Sequence, residues 1–198
     1  MKQLLQSLRT GQLEIIDCPI PSCNPGTAVI KSTNSVISAG TEKMLLEFGK
    51  ANYFEKAKGQ PDKLKQVYKK LKTDGLLQTV ATVTSKLDQP ISLGYSNAGI
   101  VLESSIPGIK SGDRVVSNGP HAEIVRVSKN LCAKIPNNVG DEKAAFTVLG
   151  SIALQGVRLL NPTIGETLVV QGLGLVGLLA VQILKANGGR VIGIDLNS

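Results

Sequence analysis

TLVVQGLGLVGLLAVQILKANGGRVIGID, residues 167–195, is the stretch on which the reading of this chain turns. Leu168, Val169 and Val170 form a short apolar run of the kind buried in a parallel sheet. Gly172, Gly174 and Gly177 follow at G-x-G-x-x-G spacing. Residues 178–185 continue as a helix, Gly188 and Gly189 end it, and residues 191–194 make a second apolar strand closed by Asp195. The order is strand, glycine turn, helix, strand.

Each part has a physical task. Gly172 permits the tight turn out of the strand, Gly174 lets backbone approach a pyrophosphate, and Gly177 lets helix and sheet pack closely. A helix N-terminus offers unpaired N–H groups and a partial positive charge to an anion. The backbone of Gly172, Leu173, Gly174, Leu175, Val176 and Gly177 is therefore the candidate cradle of a dinucleotide. Asp195 lies 18 residues beyond Gly177, close to the distance at which a carboxylate holds the ribose 2′-OH of NAD. It would repel a 2′-phosphate, so NAD is expected in preference to NADP. Arg190 precedes the second strand rather than standing at its tip, a poor place for a 2′-phosphate ligand. The competing reading is a glycine-rich turn in an ordinary αβ unit that binds nothing.

The 198 residues suffice for one large or two small domains. The net charge of +7 favours anionic partners, such as a dinucleotide or sugar nucleotide. Aromatics make up 3% and Trp is absent, which argues against base-stacking nucleic-acid platforms. Cys18, Cys23 and Cys132 form no C-x-x-C, arguing against a disulfide framework and a structural zinc site. A cytoplasmic protein is expected. The N-terminus lacks a signal-peptide core. The most apolar window, 167–184, carries glycines, Gln171 and Gln182, which suit a nucleotide fold better than a membrane span.

Residues 2–8 and 12–17 read as strands separated by a hairpin-like break at Thr10-Gly11, and 27–33 as another. Met44, Leu45 and Phe48 suggest a helix with Thr41 as its N-cap. Leu64, Val67, Tyr68 and Leu71 mark a second helix, and Leu76, Val80, Val83 and Leu87 a third. Between Glu42 and Asp74 nine lysines meet five acids, read as a solvated helix face in preference to an anion-binding lid. Strand patterns resume at 99–103, 113–117, 122–127 and 131–135. Residues 141–149 and 151–160 read as helices leading into the nucleotide unit.

The runs SAGTE (38–42), LGYSNAGIV (93–101), GDRV (112–115), HAEIV (121–125), DEKAAFTVLGSIALQGVR (141–158) and GLGLVG (172–177) occur in the order seen in the medium-chain dehydrogenase/reductase superfamily. The chain resembles in particular the first module of bi-domain oxidoreductases. The resemblance implies α/β plus β architecture: a GroES-like β-barrel catalytic domain over 1–150, with a helical insertion at 42–88, and an incomplete Rossmann βαβ unit over 151–198. A homo-oligomer is compatible with it.

Zinc members of that superfamily carry a Cys where this chain has Ala39, a His where it has Tyr95, and a third ligand near Val148. Alanine and valine cannot bind zinc and Tyr is not a usual ligand, so no zinc is expected. Thr41 matches the family's hydroxyl in the proton relay, Tyr95 takes the lost His position and Ser96 is next to it. A hydroxyl there can donate to a developing oxyanion. The alternatives are barrel packing for Tyr95 and a helix cap for Thr41. His121, the sole histidine, reads as structural in preference to a proton shuttle, and Asp113 and Arg114 as turn residues.

These features lead to a zinc-independent, NAD-dependent oxidoreductase acting on a carbonyl or hydroxyl substrate. The bi-domain resemblance alone suggests a sugar or sugar nucleotide. The alternative is a binding or scaffold module that keeps the fold without the chemistry. A hydrolase elbow at Gly94–Ala98 is disfavoured, because Ala98 replaces its second glycine and His121 follows Ser96 too closely. Two strands fall short of the roughly six of a nucleotide domain, so an N-terminal piece of a longer enzyme is expected. Neither nucleic acid nor membrane is an expected partner.

Overall fold

The computed structural model describes residues 1–50 and 89–196. The second and third helices expected within 42–88 lie outside them. The chain divides into two compact units, one of Lys2–Cys18 with Thr41–Leu93, the other of Met1, Pro19–Gly40 and Gly94–Ser198.

In the first unit β1 (Lys2–Gln6) and β2 (Leu13–Asp17) form the expected hairpin, with Lys2 opposite Asp17 and Gln6 opposite Leu13. Its turn closes through Ser7 N–H to Gln12 O (3.0 Å) and Gly11 N–H to Ser7 O (2.8 Å). β4 (Ile91–Ser92) pairs on the other side of β1. Helix α1 (Ala39–Lys50) begins two residues before Thr41, which sits exposed in its first turn rather than at the N-cap. Gln6 is fully buried and ties α1 to the hairpin by donating from Nε2 to Leu45 O at 2.8 Å.

The second unit is built on a five-stranded antiparallel sheet. Its strands are β3 (Thr27–Ser35), β5 (Asn97–Ser104), β6 (Arg114–Ser117), β7 (Ile124–Ser128) and β8 (Cys132–Lys134), in the order β7-β3-β5-β6-β8. Alternation follows the pleat: Val125 and Val127 point inward, Arg126 and Ser128 outward. Ala28, Ile30, Val101, Ile106, Val115, Val125 and Val127 form one core cluster. Each buried Val or Ile contributes about 1.5–3 kcal/mol. A second cluster joins Ala98, Val116 and Ile135 of the sheet region to Ala144 and Ala145, at the end of helix α2 (Asp141–Ala144).

The break between the two helices that follow falls at Ala145–Phe146, not at Gly150 as the sequence suggests. Helix α3 (Thr147–Leu160) runs through Gly150, whose N–H donates to Phe146 O at 2.8 Å. Leu149, Ala153 and Val157, spaced four apart, bury one stripe, and that packing outweighs the roughly 1 kcal/mol cost of a helical glycine. Asn161, left-handed at φ 50°, caps the helix through its N–H.

The last elements are β9 (Thr167–Gln171), α4 (Leu175–Ala186) and β10 (Arg190–Ile194). The strands are parallel, Thr167 opposite Arg190 and Gln171 opposite Ile194. Helix α4 packs on α3 and on both strands. Among the described residues no helix is long and apolar enough to cross a membrane.

Candidate functional site

The turn after β9 is determined by two glycines. Gly172 has φ +90°, a left-handed conformation that disfavours a side chain, and its N–H extends the ladder to Ile194 O at 2.7 Å. At Gly177 a Cβ would lie 1.9 Å from Gly172 O, so helix and turn meet only because that atom is missing. Gly174, the N-cap of α4, is the opposite case: a Cβ there meets nothing within 4 Å. No side chain caps the helix and no acidic residue occupies its first turn. The first-turn N–H groups lack intrahelical acceptors and carry the positive end of the helix dipole. Gly172 and Gly174 are exposed. Open space at Gly174, unpaired helix-terminal donors and the dipole field are the features an anion site uses.

Asp195 stands immediately past β10, exposed, and its Oδ2 accepts the Leu173 N–H at 2.6 Å. The Leu173 side chain lies over Gly193, where a Cβ would come within 2.9 Å of Cδ2. Loop and strand tip are thus joined by one polar and one apolar contact.

The hydroxyl residues have separate partners. Tyr95 is half-buried and donates to Ser38 Oγ at 2.8 Å. Ser96 is 1% exposed and donates to Ala145 O at 2.5 Å, satisfying a carbonyl at the end of α2. Its hydroxyl belongs to the interior. Thr41 belongs to the other compact unit. His121 Nδ1 shares a hydrogen bond with Ser35 Oγ at 2.9 Å. Ser35 and Ser38 carry no sequence signal of their own, because loop serines are common; only their partners mark them.

The turn residues are structural. Arg114 donates from Nε to Asp141 Oδ1 (2.9 Å) and from Nη2 to Val139 O (2.6 Å), and Thr33 Oγ1 donates to Asp141 Oδ2 (2.8 Å). Burial pushes the Asp141 carboxyl up, but these hydrogen bonds outweigh it and hold it below the usual range. Asp113 is also held low, first by Lys134 Nζ at 2.8 Å and then by the Lys110 N–H. Among the described residues no three His, Cys, Asp or Glu side chains converge to hold a metal. Ala39 and Val148 carry no metal-binding side chain, and the Tyr95 hydroxyl is hydrogen-bonded to Ser38.

A cavity of about 650 Å³ opens beside α4, lined by Phe146, Leu175, Leu178, Leu179 and Gln182 together with Glu142 and Lys143. The sequence does not reveal it: residues 175–181 of α4 are all apolar, so periodicity there cannot say which side faces a cleft.

No family model matches the chain. It is 27% identical over 143 residues to acryloyl-coenzyme A reductase of Metallosphaera sedula, covering 55% of this chain and 43% of that one. It is 33% identical over 109 residues to D-guloside 3-dehydrogenase of Escherichia coli, covering 52% and 31%. Its fold is similar to that of the quinone oxidoreductase of Thermus thermophilus, a structure described also in complex with NADPH. That similarity has a TM-score of 0.66 and 22% identity, and covers 98% of this chain and 53% of that one. The match thus spans less than half the length of these two relatives and about half of the structural neighbour.

Proposed function

We propose that this chain, a medium-chain dehydrogenase/reductase like its relatives, serves NAD-dependent, zinc-independent oxidoreduction of a carbonyl or hydroxyl substrate. The observation that carries the reading is the exposed glycine turn whose Leu173 N–H is bound by Asp195. That bond keeps the carboxylate at the mouth of the turn, where it can accept from a ribose hydroxyl and repel a 2′-phosphate. The Leu173 N–H, expected in the cradle, is instead taken by Asp195, so the amides of residues 174–177 would hold the pyrophosphate, and the bound dinucleotide would supply the hydride chemistry.

Without zinc, the proton falls to a side chain. Tyr95, whose hydroxyl donates to Ser38, is the candidate donor to a carbonyl oxygen, and Ser38 would relay to it a replacement proton taken up from water. Thr41 is a second candidate hydroxyl. Ser96 is the weakest of the three, since its hydroxyl serves Ala145. Residues 1–150 would form the GroES-like catalytic part and 151–198 the first part of the Rossmann domain. The coverage of relatives supports reading the chain as the N-terminal portion of a longer enzyme. A sugar-type substrate draws support from the guloside dehydrogenase relative.

One observation favours the second reading, a binding module that keeps the fold without the chemistry: the buried, internally satisfied Ser96. Turnover by the natural protein decides between them. NAD-linked oxidation or reduction of a sugar or alcohol panel, lowered about 10²- to 10⁴-fold in Tyr95→Phe, is expected; NAD binding without turnover of any member would favour the module.

A further inference from the structure

The segment that delivers Tyr95 is held against the exit of β3 at several points. Val36 N–H donates to Ser96 O at 2.9 Å, and the Tyr95 hydroxyl reaches Ser38 at 2.8 Å. Ser35 closes β3 opposite Asn97, the first residue of β5, so its place is set by the sheet ladder. Asn97 is buried and its Nδ2 donates to Ser32 Oγ at 2.8 Å, fixing the strand end further. His121 comes from a different part of the chain and shares its Nδ1 bond with that same Ser35.

Gly94 connects the two. Its φ of +85° makes the turn from which Tyr95 departs. A Cβ there would lie 2.7 Å from both Cγ and Cδ2 of His121 and 2.7 Å from its backbone nitrogen. The imidazole therefore rests directly on the Gly94 α-carbon. One edge of the ring is hydrogen-bonded to the end of β3, and the ring also lies against the residue before Tyr95.

We infer that His121 is a positioning residue for Tyr95: anchored by Ser35, its ring braces the Gly94 turn and sets the direction in which the phenol emerges toward Ser38. This assigns a task to the chain's one histidine without making it a proton donor. It rests on the reading of Tyr95 as the reacting hydroxyl only for its bearing on catalysis; the bracing itself is a separate matter.

The test uses the full chain labelled with 3-fluorotyrosine. Its three tyrosines, Tyr53, Tyr68 and Tyr95, give three fluorine resonances, and Tyr95→Phe assigns one of them. In His121→Ala and in Ser35→Ala the Tyr95 resonance is expected to shift while the other two stay in place. His121→Asn, whose amide nitrogen can take the place of Nδ1, is expected to return it toward its original position. An unmoved Tyr95 resonance in Ser35→Ala, or equal movement of all three, overturns the inference, and Ser35→Ala decides alone if His121→Ala does not fold. If the resonance shifts as expected but Tyr95→Phe leaves turnover of the natural enzyme intact, the brace stands and the catalytic reading of Tyr95 fails.

Discussion

Asp195 Oδ2 accepts the Leu173 N–H at 2.6 Å, so the acid at the tip of β10 is bound to the glycine turn that leaves β9. A charged acceptor on a backbone amide contributes about 1.5–3 kcal/mol. Replacing Asp195 by Ala is therefore expected both to loosen the turn and to remove the discrimination against a 2′-phosphate. Titration of the natural protein with NAD and NADP should show NAD affinity falling roughly 10- to 100-fold and the preference for NAD narrowing. Unchanged preference would remove Asp195 from the ribose.

Two glycines of the same turn should respond differently. Gly177→Ala places a methyl 1.9 Å from Gly172 O and must displace backbone, costing about 1–3 kcal/mol or more. Gly174→Ala meets no protein atom, so the melting temperature should hardly change, while dinucleotide affinity falls because the methyl occupies the anion's space. Melting curves read together with NAD titration separate the two effects.

Ser96→Ala and Tyr95→Phe make a second contrasting pair. Loss of the Ser96 hydroxyl leaves the Ala145 carbonyl unpaired in the interior and should cost about 1–3 kcal/mol in urea unfolding. Tyr95→Phe should leave stability nearly unchanged and lower kcat of the natural enzyme by about 10²- to 10⁴-fold. The same kcat loss in Ser96→Ala would move the chemistry to Ser96.

Asp141 links acid stability to the Arg114 clamp. Its carboxyl is held below the usual range in the folded protein, so its contribution is complete above the unfolded pKa of about 3.9 and is lost as pH falls through the lower, folded value. Arg114→Met should cost about 1–3 kcal/mol at pH 7, and the difference from the unmodified chain should shrink below about pH 4. Denaturant unfolding at pH 7 and pH 3 measures this. A constant difference would show that packing, not charge, is what Arg114 provides.

Cys132 should be the slowest of the three thiols toward iodoacetamide at pH 8. Burial pushes it up to about 11, leaving little thiolate. Mass spectrometry of partially alkylated protein gives the order; early modification of Cys132 would contradict it.

Much of the backbone was legible locally. The hairpin about Gly11, the alternation at Val125 and Val127, and the strand–glycine–helix–strand order of 167–195 all appear where the residues indicate them. Helix ends were less legible. Thr41 has the chemistry of an N-cap, yet α1 starts at Ala39; Gly150 resembles a breaker, yet α3 runs through it. At Gly150 the buried stripe of α3 outweighed a local preference of about 1 kcal/mol, whereas at α1 Ser38, immediately before the helix, has the same capping chemistry as Thr41. Of the candidate site, the glycine turn was legible because its requirements are local, whereas the cavity beside α4 was not, being made by Phe146 and a helix some thirty residues later.

What the amino-acid order determined unaided is the periodicity of each element and the glycines demanded by tight turns, since backbone dihedrals and side-chain alternation depend on neighbours in the chain. What only the tertiary structure decided is the partner of each polar group. Tyr95 and Ser96 are adjacent, yet one hydroxyl reaches Ser38, 57 residues away, and the other Ala145, 49 residues away. No local rule distinguishes them. The direction of a hydroxyl is settled by which side of the chain is sealed from water, and that is known only once the sheet and its helices have packed.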